Sequence, residues 1–423
     1  MLVAADGALP TMRLEWSAAE RLTLAVGRVL REEWSLEAVI LELHGDDDSR
    51  RADAEMVTIP VLVVVDAPDV GWTAPDDCRW LPVSTADPGV APSLRPRVIE
   101  LVAEWSGRRA IAELRTPWAR RGWHRRACEW ISQLLVEHGR PPTGPIEQFQ
   151  HWEISAVMRV DTIRGPVWFK AVFPLWRHEP VVTSLLDREM PGMVAPVIAI
   201  DTTEGWLLLD DVGAEFVADH PEADAATIRR LVECQRRFIG RTDELLAIGC
   251  PARPLSSLAR DLAHTLADPT VRAWIDVADQ RVEVLVGWVG DSAAEIDRLG
   301  YPDTLVHGDF HPRNAVVTGN GPVIFDWSDA AIAHPLVDAM TWSGWLHDDV
   351  ERGERAWRVF LDAWTDVCPI ERVEPKRRQL AALAAAYHTV SYAGIVTRLE
   401  PLRRTDIAGG LDHYFRILNQ YVP

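Results

Sequence analysis

The sequence predicts an α+β protein: an antiparallel-sheet segment, then a largely helical one, with a small α/β module ahead of both. Three observations predict it. Between Ile146 and Asp211, short apolar runs alternate with turn residues, as strands and hairpins do. From Gly213 onward apolar residues recur at helical spacing, as in Ile228, Leu231, Val232 and Phe238. Ahead of residue 110, one helical stretch and two apolar runs stand apart from both patterns. The expected divisions are 1–110, 111–212 and 213–423.

Composition bounds the class. A chain of 423 residues has room for two or three domains, at about 150 residues each. It contains no apolar run of the roughly 18 residues that a membrane span needs. The start, Met1 to Gly7, has neither the basic segment nor the apolar core of a secretory signal. Five cysteines, odd in number and scattered without metal-ligand spacing, predict reduced thiols and a cytoplasmic protein. A net charge of −19 argues against nucleic-acid partners and is compatible with a cationic one.

In the first segment, Ala18 to Leu36 reads as an amphipathic helix. Ala38 to Leu43 and Ile59 to Val65 read as strands, the second apolar enough to be central, and Arg97 to Trp105 as a second helix. Pro68 to Pro75 and Pro88 to Pro96 are rich in turn residues. The basic stretch 108–121, with Arg115 among its arginines, reads as a boundary. Thr116 and Pro117 then signal a helix start, with Thr116 as N-cap, running to about His138.

Strands follow at Ile146 to Trp152, Ala156 to Asp161, Val167 to Val172, Val194 to Ile200 and Gly205 to Asp211. Alternation puts Lys170 on the face opposite Phe169 and Ala171. A lysine inside an apolar strand needs an anionic partner; phosphates and Glu179, at the start of the helix Pro180 to Asp187, would supply it. Beyond Gly213, helices are expected at Ala223 to Gly240, Ser256 to Leu266, Val271 to Ala278, Val282 to Leu299, Glu354 to Asp366 and Arg377 to Thr397.

Residues 305–327 interrupt the helices and carry the chemistry. Asp309 opens a short loop and Asn314 follows five positions later. Ala315 to Val317 and Val323 to Phe325 flank Gly-Asn-Gly-Pro, which reads as a β-hairpin. The hairpin would return Asp326 to the side of Asn314. Phosphoryl transfer needs a carboxylate to orient a hydroxyl and take its proton, and oxygen ligands for Mg²⁺. Asp309 suits the first task, Asn314 and Asp326 the second.

His307-Gly308-Asp309, Asn314 and Ile324-Phe325-Asp326-Trp327 resemble the signature of the aminoglycoside phosphotransferase and choline kinase family. The resemblance implies a two-lobed protein-kinase-like fold and an ATP- and Mg²⁺-dependent kinase acting on a hydroxyl of a small molecule. Which acceptor it takes is not readable: an aminoglycoside, another amino sugar, a sugar, a choline-like alcohol and a macrolide are all open, as is GTP in place of ATP. It further implies that Lys170, ordered by Glu179, contacts the nucleotide phosphates, and that Leu207 to Asp211 is the hinge at the adenine. The phosphate-covering loop would be His151 to Ser155, with Ser155 offering its hydroxyl; it has no glycine. His307 and Asp338 would brace the loop, and Trp342, Trp345, Asp348 and Asp349 are candidates for an acceptor pocket. Where that family often has Gly-Asp-Pro, this chain has Ala333-His334-Pro335.

A fainter likeness lies near the N-terminus. Glu20, Arg28 to Leu36 and Cys78 to Pro82 are similar to parts of Nudix hydrolases, but the opening glycine is absent and Ser35 stands at the closing one. Glu20, Glu32 and Glu33 read as a solvated helix face. Two rival functions follow: a pseudokinase-like binding or regulatory protein, against which the intact Asp309, Asn314 and Asp326 argue, and a pyrophosphohydrolase, against which the damaged helix argues.

Overall fold

The computed structural model describes residues 2–4, 9–11, 14, 21–45, 61–66, 72–80, 92 and 94–423. Packing divides the chain into two compact units, Met1–Ala171 with Leu399–Thr405, and Val172–Arg398 with Asp406–Pro423.

In chain order the first unit holds β1 (Leu2–Ala4), α1 (Leu22–Trp34), β2 (Ile40–Gly45), β3 (Val61–Val65), β4 (Cys78–Trp80), α2 (Arg95–Trp105), α3 (Trp123–Glu137), β5 (Pro142–His151), β6 (Ser155–Thr162) and β7 (Gly165–Val172). Val26, Val29 and Leu30 lie buried on one face of α1. Val26 and Leu30 pack with Leu36 and Ile40. Ser35, in the left-handed conformation at φ 46°, ends the helix. β2 pairs antiparallel with β3, and β1 with β4. β5, β6 and β7 are neighbours in that order.

The first unit departs from some expectations and meets others. β3 was expected to be central, yet among the described residues it pairs with β2 alone and only Val64 is buried. Glu32 and Glu33 lie exposed on α1, with Arg28 3.7 Å from Glu32 one turn away. That is a solvated helix face. Glu20, the helix start at Ala18, Ile59, Pro82 and much of the two turn-rich stretches lie outside the described residues. The helix expected from Thr116 to His138 is broken: a single turn, Pro117–Ala119, precedes Gly122 at φ 77°, and α3 starts at Trp123. Thr116 makes no side-chain cap. On a continuous helix residues five apart point about 140° apart, whereas the break lets Trp118 and Trp123, each 1% exposed, pack edge to face at 6.3 Å. Within the basic stretch 108–121, Arg115 is turned inward. It is buried and bonded to Glu104 and Glu400, partners that sequence spacing could not show.

The second unit holds α4 (Glu179–Glu189), the antiparallel pair β8 (Val197–Asp201) and β9 (Trp206–Asp210), α5 (Asp224–Arg237), α6 (Thr242–Ala247), α7 (Leu255–Ala267), α8 (Pro269–Arg272) and α9 (Asp279–Asp297). Four short strands follow, β10 (Thr304–Val306), β11 (Ala315–Thr318), β12 (Gly321–Ile324) and β13 (Ala331–Ala333). The chain then forms α10 (Leu336–Trp345), α11 (Val350–Asp362), α12 (Ile370–Val373), α13 (Arg377–Val396) and α14 (Thr405–Tyr421). A buried run of small residues, Ala382 to Ala386 with Leu383 between, lets α13 pack on α7, α9 and α10. The helix expected over Val271 to Ala278 is instead the single turn α8, capped by the Asp268 carboxylate. At its last residue, Arg272 bonds the carbonyls of Leu266 and Val277 and the helix stops. Among the described residues no helix is long and apolar enough to cross a membrane. All five cysteines are free thiols.

Candidate active site

The site of the second unit is built on two buried strand pairs. β10 pairs antiparallel with β13, Leu305 opposite Ile332. From its end His307, Gly308 and Asp309 enter a loop. Gly308 sits at φ 85°, and a Cβ there would meet the Asp329 carbonyl oxygen at 2.1 Å. Only glycine satisfies both the dihedral and the approach.

The loop is braced from α10 and β12. Asp338, fully buried, accepts from the backbone N–H of His307 (3.0 Å) and Gly308 (2.9 Å) and from Gln235 Nε2 (2.9 Å). Burial raises its carboxyl to about 7 against the pull of these donors. His307 Nε2 donates to the Phe325 carbonyl at 3.0 Å, and its Nδ1 accepts from the Asp309 N–H at 3.3 Å. Both ring nitrogens are thus engaged, and burial lowers the ring's pKa. The bracing roles expected for Asp338 and His307 match this geometry.

Asp309 is the loop's outward group, with 36% of its side chain exposed, enough to meet a ligand. His311 Nδ1 accepts from the Arg313 N–H, so its proton sits on Nε2, 3.6 Å from Asp309 Oδ2. Burial alone would raise the Asp309 carboxyl, but His311, His388 and His307 hold it below the ordinary range. It is therefore an ionised carboxylate that can accept a proton.

The expected hairpin forms, Ala315 opposite Ile324 and Thr318 opposite Gly321. Asn314 and Phe325 close its open end through Phe325 N–H to Asn314 O, 3.0 Å. Asn314 Nδ2 donates to the Asp309 carbonyl at 3.0 Å. That bond commits the amide nitrogen and leaves the amide oxygen as a hard donor. Asp326 follows at φ 63°, a left-handed conformation unusual for a residue with a Cβ. Its carboxylate Oδ1 lies 2.7 Å from the Ser328 hydroxyl, which also lies 2.7 Å from Glu179 Oε2. The Ser328 hydroxyl thus lies between the two carboxylates, with one proton to give.

Among the described residues no three histidines, cysteines or carboxylates form a closed metal cage. Mg²⁺ in phosphoryl transfer takes only one or two protein oxygens beside phosphate oxygens. The Asn314 amide oxygen and the exposed Asp326 carboxylate fit that demand.

A second wall was not legible in the sequence. Asp329 Oδ1 accepts from the Ser391 hydroxyl (2.7 Å), which accepts from Arg253 Nη1 (3.3 Å). Burial first, then Asp309, raises the Asp329 carboxyl to about 7. Half-buried Tyr392 and Tyr414 lie with ring centroids 5.4 Å apart, and Tyr414 stacks on His388 at 4.4 Å. Gly410 makes room, since a Cβ there would fall 2.1 Å from the Tyr392 ring.

The candidate pocket residues separate. Trp342 is fully buried against Phe310, Asp349 caps α11 through the Arg352 N–H, and the Asp348 side chain is 94% exposed. Only Trp345 stays with the site, stacked on His311 at 5.6 Å with 11° between the planes. Glu179 is the first residue of α4, buried, with its carboxylate at Ser328.

In the first unit, Lys170 lies half-buried on β7 while Phe169 and Ala171 are buried on the other face, as alternation required. Ser155 begins β6, and its Oγ accepts from Trp152 Nε1 at 2.6 Å.

A sequence profile of the phosphotransferase enzyme family matches residues 176–393, just over half of the chain. No curated protein matches the sequence significantly. Among solved structures, the chain is similar to a Plasmodium vivax ethanolamine kinase, with TM-score 0.52, 11% identity, and 79% of this chain and 97% of that one covered. It is also similar to the choline kinase LicA from Streptococcus pneumoniae, with TM-score 0.51, 12% identity, and 70% and 99% covered. A third likeness is to APH(2")-IIia solved with GDP and kanamycin, with TM-score 0.50, 15% identity, and 69% and 98% covered. At these identities the likeness is one of fold, the protein-kinase-like α+β architecture.

Proposed function

This chain belongs to the phosphotransferase enzyme family, and from that premise we propose that it transfers the terminal phosphoryl group of ATP to a hydroxyl of a small molecule, with Mg²⁺. The observation that carries this reading is the tie between Asn314 and Asp309. One hydrogen bond couples the loop bearing the base to the hairpin bearing Asp326.

Asp309, kept ionised, orients the acceptor hydroxyl and takes its proton as the oxygen attacks. Asn314 and Asp326 hold Mg²⁺, which when bound neutralises the phosphate charge. Lys170 and Glu179 are assigned to the nucleotide phosphates, and Ser155, whose own O–H proton is left by the Trp152 bond, to a phosphate oxygen. Catalysis of this kind is positioning and charge stabilisation. Tyr392 and Tyr414, with Asp329 once it ionises above about pH 7, favour an acceptor carrying an amine, because carboxylates and ring faces both attract cations. Residues 1–110 form an accessory module to this kinase.

Thermal shift with ATP and GTP, with and without Mg²⁺, tests the reading. Mg²⁺-dependent stabilisation that Asp326→Ala removes is expected. Asp309→Ala is expected to end turnover of amino-sugar and amino-alcohol acceptors while leaving that stabilisation in place. No stabilisation of the wild type at millimolar nucleotide would refute it.

A further inference from the structure

We propose that the N-terminal region is the positioning clamp of the loop His151–Ser155, with Gln148 as its central residue and Thr23 as a second anchor. The inference rests on the reading of that loop as the nucleotide-phosphate loop.

The loop has no glycine, and His151, Glu153 and Ser155 are 4%, 4% and 8% exposed. Loops that flex over ligands are exposed as a rule; this one is held. Its anchors come from α1 and β2, elements outside the span matched by the family profile. The His151 N–H donates to Thr23 Oγ1 at 3.1 Å. His151 Nε2–H donates to the Leu41 carbonyl at 2.7 Å, so its Nδ1 accepts from Gln148 Nε2 at 3.3 Å. The Gln148 amide in turn spans the backbone of Ile40, accepting from its N–H at 2.8 Å and donating to its carbonyl at 3.0 Å. Every donor and acceptor in this relay is matched only while His151 is neutral. Burial, with Arg403 beside it, keeps it so.

A charged link runs parallel. Glu153 accepts from Arg403 Nε and Nη2 at 3.2 and 3.1 Å. Arg403 Nη1 lies 3.8 Å from Glu42 on β2, and Glu42 also accepts from Arg97 at 2.5 Å. Both links tie the loop to β2. A phosphate-binding loop fixed before the nucleotide arrives loses less freedom on binding, which lowers the nucleotide concentration needed. The clamp residues touch no ligand; they act through the loop.

The test uses the full chain as wild type, Gln148→Leu and Thr23→Val, the last nearly isosteric and therefore fit to fold if the first does not. Hydrogen exchange of the 148–158 backbone is measured together with KM for ATP and kcat. Faster exchange in the loop with KM for ATP raised about tenfold or more, and kcat within about twofold, is expected for Gln148→Leu, since it removes three hydrogen bonds. Thr23→Val should shift both measures in the same direction by less. Unchanged exchange in both variants overturns the clamp, as does faster exchange with unchanged KM. A wild type that binds no ATP fails the kinase reading itself, whereas ATP binding untouched by both substitutions rejects the clamp alone.

Discussion

Asn314 donates its side-chain N–H to the main-chain carbonyl of Asp309 at 3.0 Å, a bond that ties the loop of the candidate base to the start of the hairpin. Asn314→Ala removes both this bond and the oxygen proposed as a Mg²⁺ ligand. Turnover is expected to fall about 100-fold or more, with weakened Mg·ATP binding. Steady-state kinetics over a Mg²⁺ series checks it, and unchanged Mg²⁺ dependence would contradict the ligand role.

Gly308→Ala places a methyl 2.1 Å from the Asp329 carbonyl at a dihedral that disfavours any Cβ. Loss of about 2 kcal/mol or more is expected, measured by urea unfolding. A variant as stable as wild type would show that the loop relaxes freely.

Asp329 titrates at about 7 in the folded chain, well above an unfolded aspartate. Between those values the folded state holds the extra proton, so this group's stabilisation is complete below about pH 4 and is lost as pH rises through 7. Asp329→Asn removes the dependence. The stability of wild type relative to that variant should decline from pH 5 to 7.5 by about 1–2 kcal/mol, allowing for solvent screening. A constant difference across that range would contradict the assignment.

Trp345, 39% exposed, stacks on His311, whose Nε2 lies 3.6 Å from Asp309 Oδ2. Trp345→Ala should raise KM for the acceptor about tenfold, the scale of an aromatic contact, and leave KM for ATP unchanged. The reverse pattern, a changed ATP constant and an unchanged acceptor constant, would move Trp345 out of the acceptor wall.

The loop and hairpin of the site were legible because their signals are local. Turn residues between two apolar runs set the register of β11 and β12, and the register carries Asn314 and Asp326 with it. Alternation likewise placed Lys170 opposite Phe169 and Ala171 on β7, and a recurring apolar stripe found α5 and α9. Each signal needs only neighbours in sequence.

Tertiary structure alone decided the rest. Trp342 and Trp345 share a helix and a side-chain type, yet packing against Phe310 buries one and leaves the other beside His311. Asp329 meets Ser391 across 62 residues and Arg115 meets Glu400 across 285; no spacing rule reaches that far. Gln148 reads as an ordinary strand glutamine until β2 comes within hydrogen-bond distance. Sequence by itself determined which groups could do chemistry, because side-chain type and local backbone pattern are written residue by residue. Which of them share a site depended on burial and long-range partners, which exist only once the chain is packed.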